Sequence, residues 1–175
     1  ARSSLRRTYQ PVKPAQTGEP VVSKPYIMPD DPEEGSNEAL TRELAEARDE
    51  SAMLHIEHRE LRALRRAGGV VWFDFRTLCG GPRSQNDYLE LASRFHTVLL
   101  SNVPQMPPRL ASEARRFTWL VDVFYDHRVK LIATADCPAG ALYTEGTQAR
   151  EFARTVSRLT EMNSREYIAL PHNAG

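Results

Sequence analysis

Between Gly69 and Asp136, three short apolar runs alternate with two stretches whose apolar residues recur every three or four positions. The runs are Val70-Val71-Trp72-Phe73-Asp74-Phe75, Thr97-Val98-Leu99-Leu100 and Val129-Lys130-Leu131-Ile132-Ala133-Thr134-Ala135. They are rich in β-branched and aromatic residues, and nearly continuous apolar character predicts strands covered on both faces. Between them, Tyr88, Leu91, Ala92 and Phe95 share one helical spacing, and Phe117, Leu120, Val121 and Phe124 share another. Each set places one apolar stripe along one helix face. Strands that alternate with helices imply right-handed crossovers and a parallel pairing. The expected fold is therefore α/β, a small mostly parallel sheet flanked by helices, preceded by an extended Pro-rich N-terminal segment.

The flanks carry weaker signals. Residues 1–30 hold prolines at 11, 14, 20, 25 and 29 and no hydrophobic period, which predicts an extended linker or strap. Tyr26, Ile27 and Met28 are candidates to anchor its end on the domain spanning 31–175. Ser36 is placed to cap a helix running to about Arg48. Alternation from Leu54 to Leu64 predicts two short strands pivoting near Arg59-Glu60. Leu78-Cys79-Gly80-Gly81-Pro82-Arg83 reads as a turn, and Ser84 with Asp87 three residues on begins a helix as a capping box. A long helix is expected from about Ser112 to His127 and a last one from about Thr147 to Asn163, with a tail frayed from Ala169.

Composition and charge narrow the function. Charges balance overall, 23 basic against 23 acidic residues, so no global field selects nucleic acid or a membrane surface. The balance is regional: from Asp30 to Glu60 eleven acids face three arginines, and from Leu61 onward fifteen bases face eleven acids. No apolar run reaches membrane-spanning length. Two cysteines, Cys79 and Cys137, make neither a metal site nor a disulfide framework, and suit a reducing, cytoplasmic setting. The Arg/Ser-rich, acid-free start weakly resembles a mitochondrial presequence, the alternative location.

Candidate chemistry begins with an absence in the sequence: there is no Gly-x-x-x-x-Gly-Lys-Ser/Thr phosphate loop. Gly80-Gly81-Pro82 lacks a following lysine, and its proline removes an amide that a phosphate cradle would use. No catalytic residue, metal site or cofactor is therefore expected in this chain. Asp74 at a strand end partly resembles the nucleophile of haloacid-dehalogenase-type phosphatases, with Ser101, Lys130 and Asp136 as partial echoes. Arg76 replaces the second aspartate of that pattern and removes its general acid. His55 and His58 fall on opposite faces of a strand, which argues against a zinc pair.

Arginines offer the main alternative. Arg115 and Arg116 open the long helix, while Arg150, Arg154 and Arg158 recur every fourth residue along the last one. Arg115, Arg116, Arg154 and Arg158 are candidates for contacts to an anion or a neighbouring subunit, against the simpler reading of a solvated face. Nothing resembles an RNA-binding or zinc-finger signature, so no nucleic-acid partner is expected. Asp122, Tyr125 and Asp126 read as surface acids and a core-edge tyrosine, and neither cysteine has a histidine placed beside it by sequence.

Longer strings add a resemblance. Gly68-Gly69-Val70-Val71-Trp72-Phe73-Asp74-Phe75, Leu78-Cys79-Gly80-Gly81-Pro82-Arg83-Ser84-Gln85-Asn86-Asp87-Tyr88 and Leu120-Val121-Asp122-Val123-Phe124-Tyr125-Asp126 carry it. So do Ala114-Arg115-Arg116-Phe117 and Phe152-Ala153-Arg154-Thr155-Val156-Ser157-Arg158-Leu159. From about Ile56 to Tyr167 the chain resembles the C-terminal portion of the ZapE-like, AFG-type family of AAA+ cell-division ATPases. The resemblance implies an oligomeric ATPase acting on FtsZ polymers at the division site. Its ATP and magnesium would be held by an upstream AAA+ core, with neighbouring subunits as partners. Asn102 departs from the family, where Asp is frequent. The order of strand Thr97–Leu100, Arg-led helix and strand Val129–Ala135 further echoes the Walker B strand, helix and sensor strand of an AAA+ core. It suggests a degenerate, non-hydrolysing copy, which requires the two strands to be adjacent and parallel. The alternatives are a stand-alone protein-binding α/β domain and the incomplete phosphatase-like fold.

Overall fold

A computed structural model describes residues 52–175. The expected strap, its Tyr26-Ile27-Met28 anchor and the Ser36-capped helix lie outside the described residues. The apolar runs form the centre of a four-stranded mixed sheet, ordered β3 (Arg65–Ala67), β4 (Val70–Asp74), β5 (Thr97–Val103) and β6 (Lys130–Ala135). β4, β5 and β6 are parallel, with Trp72 beside Leu99 and Leu99 beside Ile132. The α/β expectation is met, with one addition. β3 pairs antiparallel with β4 through Gly68-Gly69, where Gly68 takes φ +55°. Lacking Cβ, glycine adopts that left-handed geometry without strain, so Gly68-Gly69 forms the hairpin turn.

Helices cover one face of this sheet. α2 (Gln85–Arg94) connects β4 to β5, and α3 (Ala111–Asp126) connects β5 to β6. Val71, Phe73, Val98 and Leu100 meet Leu91, Ala92, Phe95, Leu120, Val121 and Phe124 in one buried cluster. On the opposite face Trp72, Leu99 and Ile132 are only half-buried, so burial is less two-sided than the apolar runs suggest. Strand alternation explains the split, since successive side chains point to opposite faces.

Two short elements differ from their sequence reading. Residues expected as a turn include a one-turn helix, α1 (Phe75–Cys79), capped by Asp74, whose Oδ1 accepts from the Arg76 amide at 2.9 Å. The N-terminal hairpin, β1 (Met53–Ile56) and β2 (Arg59–Arg62), pivots at Glu57-His58 rather than Arg59-Glu60. Both turn residues have positive φ, 47° and 64°, as a two-residue hairpin turn requires. His58 thus sits in the turn and not on a strand. The hairpin buries Leu54, Ile56 and Leu61 and docks on α2: Glu57 N donates to Glu90 Oε2 at 2.7 Å, and Arg94 Nη1 to the His55 carbonyl at 3.0 Å.

The capping box is present, with Ser84 N donating to Asp87 Oδ2 at 2.6 Å. Beyond β6, a 3-10 turn (Ala139–Ala141) leads to α4 (Ala149–Met162), then to α5 (Arg165–Ala169). The last residues are tied down, contrary to the expected fraying. His172 Nε2 donates to the Ala92 carbonyl at 2.6 Å, and Asn173 N to the His127 carbonyl at 2.9 Å.

Candidate functional site

Two regions hold the residues that the sequence singles out, and a third emerges only from the fold. The first is the seam between α3 and α4. Its rungs ascend together, Thr118 with Thr155, Asp122 with Arg158, Tyr125 with Glu161, so the two helices run parallel. Their apolar sides meet where the Phe117 and Phe152 rings stack at 6.2 Å. Arg158 donates to Asp122 Oδ1, and its guanidinium lies 4.9 Å from the Tyr125 ring centroid. The Tyr125 hydroxyl donates to Glu161 Oε2 at 2.8 Å, and that bond to a carboxylate holds it above the usual phenol range. The Tyr125 ring stacks on Tyr167 at 5.9 Å. The Tyr167 hydroxyl in turn shares its one proton between the Phe124 and Val129 carbonyls, 3.0 and 2.9 Å away, which ties α5 to the end of α3.

The four candidate arginines divide into two pairs. Arg158 is spent within the seam. Arg116 is also engaged inward, its Nε donating to the Cys79 carbonyl at 2.7 Å and its Nη2 lying 3.4 Å from Glu113 Oε1. A cation at the C-terminus of α1 meets the carbonyl that the helix leaves unpaired. Arg115 and Arg154 are exposed and form no hydrogen bond or ion pair among the described residues. Arg115 lies one turn before Thr118 and Arg154 one turn before Arg158. The parallel seam therefore places both at its N-terminal end, leaving their guanidinium groups available to an outside anion.

The second region is the C-terminal ends of the strands. Asp74 spends one oxygen on the α1 cap and accepts from Asn102 Nδ2 at 2.7 Å with the other. Asn102 takes φ +63°, and its amide donates to Thr134 Oγ1 at 3.0 Å. Ser101 Oγ accepts from Trp72 Nε1 at 3.0 Å. The cluster stitches β4, β5 and β6 together, and both Asp74 oxygens take part in it. Lys130 opens β6, at the opposite end of the sheet from Asp74, so the phosphatase-like set is not assembled. Nor is Cys79 a nucleophile. Burial pushes its thiol up to about 12, the Tyr88 hydroxyl 3.8 Å away opposing only in part. Burial, aided by Asp136, raises Cys137 as well.

These raised groups predict an alkaline limit to stability. Cys79, with an ordinary value of 9.0, and Tyr88 and Tyr167, ordinarily at 10.0, all ionise later in the folded chain. The unfolded chain loses its protons first, so the stability they contribute is complete below about pH 9 and falls as pH rises toward the folded values. The slope is at most about 1.4 kcal/mol per pH unit for each group. Urea midpoints between pH 8 and 11 check this. Cys79→Ala should remove the earliest part of the decline, and a flat midpoint across that range would contradict the burial assignment.

The third region is an apolar cleft of about 60 Å³ beside β6, lined by Leu131, Ala133 and Ala135 and roofed by Phe117, Leu142 and Leu159. No sequence pattern marks it, because its lining comes from four separate segments.

β5 and β6 are parallel and adjacent, and the Arg-led α3 joins them. A family model described as AFG1-like ATPase matches residues 23–171, most of the chain and well upstream of Ile56. The chain belongs to the AFG1-like ATPase family. It is similar to Cell division protein ZapE of Escherichia coli K12, 44% identical over 128 residues, covering 73% of this chain and 34% of that protein. It is also similar to Lactation elevated protein 1 homolog B of Danio rerio, 35% identical over 140 residues, covering 78% of this chain and 28% of that protein. A shorter likeness links it to Protein GrpE of Rhodopseudomonas palustris BisB5, 52% identical over 85 residues, covering 49% of this chain and 39% of that protein. This AFG1-like chain spans about a third of the length of the first two of these relatives. No solved structure matches it. Among the described residues, no helix is long and apolar enough to cross a membrane.

Proposed function

We propose that this chain is the C-terminal, non-hydrolysing module of a ZapE-like AAA+ ATPase, and that it provides contacts to an upstream ATPase core and to neighbouring subunits. One observation carries the reading: a chain matched to an ATPase family over residues 23–171 contains no phosphate loop. ATP and magnesium bind elsewhere in the family's length, and the work this module assists is the remodelling of FtsZ polymers in the cytoplasm. The strand–helix–strand order of β5, α3 and β6 supports its origin as a degenerate copy of an AAA+ half, kept for shape. Arg115 and Arg154 are the side chains that reach a neighbouring subunit or its bound nucleotide, because neither is paired among the described residues. Arg116 and Arg158 hold the helices that present them.

A replacement experiment tests this. Residues 52–175 are exchanged for the matching stretch of E. coli ZapE, and ATP turnover and assembly are followed. Arg115→Glu with Arg154→Glu should lower turnover or assembly at least about tenfold, the loss of roughly 1.4 kcal/mol or more of contact energy. Thermal stability should stay unchanged, since exposed substitutions cost little. The isolated chain should turn over no ATP. Enzyme-like turnover by the isolated chain, or an unaffected double variant, would overturn the reading.

A further inference from the structure

We infer that the open edge of β6 and the cleft beneath it receive one further β-strand, supplied by the part of an AFG1-like ATPase that this chain does not span. The inference rests on the reading of the chain as a module of such an ATPase, and it names the surface by which the module joins the rest.

The layer geometry points there first. Helices pack about 10 Å apart, whereas strands lie about 4.8 Å apart. Three helices side by side, α2, α3 and α4, are therefore wider than the strands they cover. α4 packs against α3, and its Leu159, Thr160 and Asn163 line the cleft together with Leu131, Ala133 and Ala135 of β6. The two alanines leave space that a larger side chain on β6 would fill. The cleft exceeds the space of several waters, enough for one aliphatic side chain.

Backbone polarity points there as well. Lys130 N donates to the His96 carbonyl and Asp136 N to the Val103 carbonyl, so alternate residues of β6 face β5. By the strand's two-residue repeat, the amides and carbonyls of Leu131, Ala133 and Ala135 face the other way. Among the described residues β6 has β5 as its one neighbour, and these groups have no partner. The strand is half-buried along its whole length, and a row of unpaired groups on such an edge is a template for a further strand. Nor does the edge carry the usual protection: Lys130–Ala135 contains no proline and no glycine, and its single charge stands at the first residue. An added strand pairs with those groups and places one alternate side chain in the cleft.

The described chain does not close this edge itself. After α4 it turns away: Tyr167, His172 and Asn173 attach to carbonyls of Phe124, Val129, Ala92 and His127. These lie at or near the start of β6 and the C-terminal ends of α2 and α3. The related ATPases are about three times longer than the stretch matched here, so the missing strand has an ample source. Its chemistry is an extended segment with alternating aliphatic residues.

The test uses amide exchange of the full chain, with E. coli ZapE deleted for its matching stretch as the probe. Leu131, Ala133 and Ala135 amides should exchange rapidly in the dilute chain and slow at least about a hundredfold when the probe is added, as unpaired amides do on entering a ladder. Ala133→Pro removes an outward amide while sparing the β5 ladder, which edge strands tolerate. Ala135→Leu fills the cleft. Either variant should weaken probe binding at least tenfold. Binding with no protection of these amides overturns the edge assignment and leaves the modular reading intact, whereas absence of binding overturns both. Protection already present in the dilute chain assigns the edge to residues 1–51, and protection that grows with chain concentration assigns it to a second copy. Either result overturns the inference.

Discussion

Phe117→Ala should destabilise the chain by about 3–5 kcal/mol, the range for deleting a buried aromatic ring. The ring is 1% exposed and joins three helices. It lies 6.1 Å from Phe75 in α1, tilted by 56°, and 6.2 Å from Phe152 in α4. Its removal would extend the cleft beside β6 into the core, and the surrounding parallel strands cannot collapse to fill it. The aromatic pairs add to the loss beyond the area buried. Denaturant unfolding checks the value, with the midpoint falling and the slope preserved. Phe117→Leu, which keeps most of the volume, should cost far less. A loss under about 1 kcal/mol for the alanine variant would mean that the three helices are held by other contacts.

Arg59→Met should cost about 2–3 kcal/mol for an electrostatic reason. Asp87 is a carboxylate with 1% of its side chain exposed, and Arg59 Nη2 lies 2.7 Å from both of its oxygens. Arg59 Nη1 also donates to the Pro82 carbonyl at 2.7 Å. Methionine keeps the packing stem but leaves a buried negative charge supported, among the described residues, by Ser84 through its amide and hydroxyl at 2.6 and 3.2 Å. The arginine itself is 40% exposed, so solvent screening holds the estimate below that of a fully buried pair. Asp87→Asn removes the charge and should cost less. The double variant should be more stable than the sum of the single losses predicts, because the asparagine needs no cation. Additive losses in that cycle would show that Arg59 and Asp87 are not coupled.

Most regular elements were legible in the sequence because their signals are local. A two-residue or three-to-four-residue period is set by backbone geometry, and β4, β5, β6, α2, α3 and α4 all follow from it with ends displaced by a few residues. The Ser84–Asp87 box was readable for the same reason, since its partners are three residues apart. α1 was not, because a five-residue helix has no period to display and depends on the Asp74 cap. Family membership was legible too, in long strings such as those around Phe73 and Phe124.

The roles of individual charges were decided only by the tertiary structure. Arg154 and Arg158 share one helical stripe in the sequence, yet the fold leaves the first exposed and commits the second to Asp122, 36 residues away. Arg116 differs from its neighbour Arg115 only by a rotation of about 100° around α3, which aims it at the Cys79 carbonyl 37 residues earlier. Arg59 finds Asp87 across 28 residues. No local pattern encodes such partners, since they depend on which helix packs beside which strand. The sequence alone thus determined the elements, the α/β class and the family. Whether a given arginine is internal or available, and which strands stand at the edges of the sheet, followed from how the helices pack on the strands and on one another.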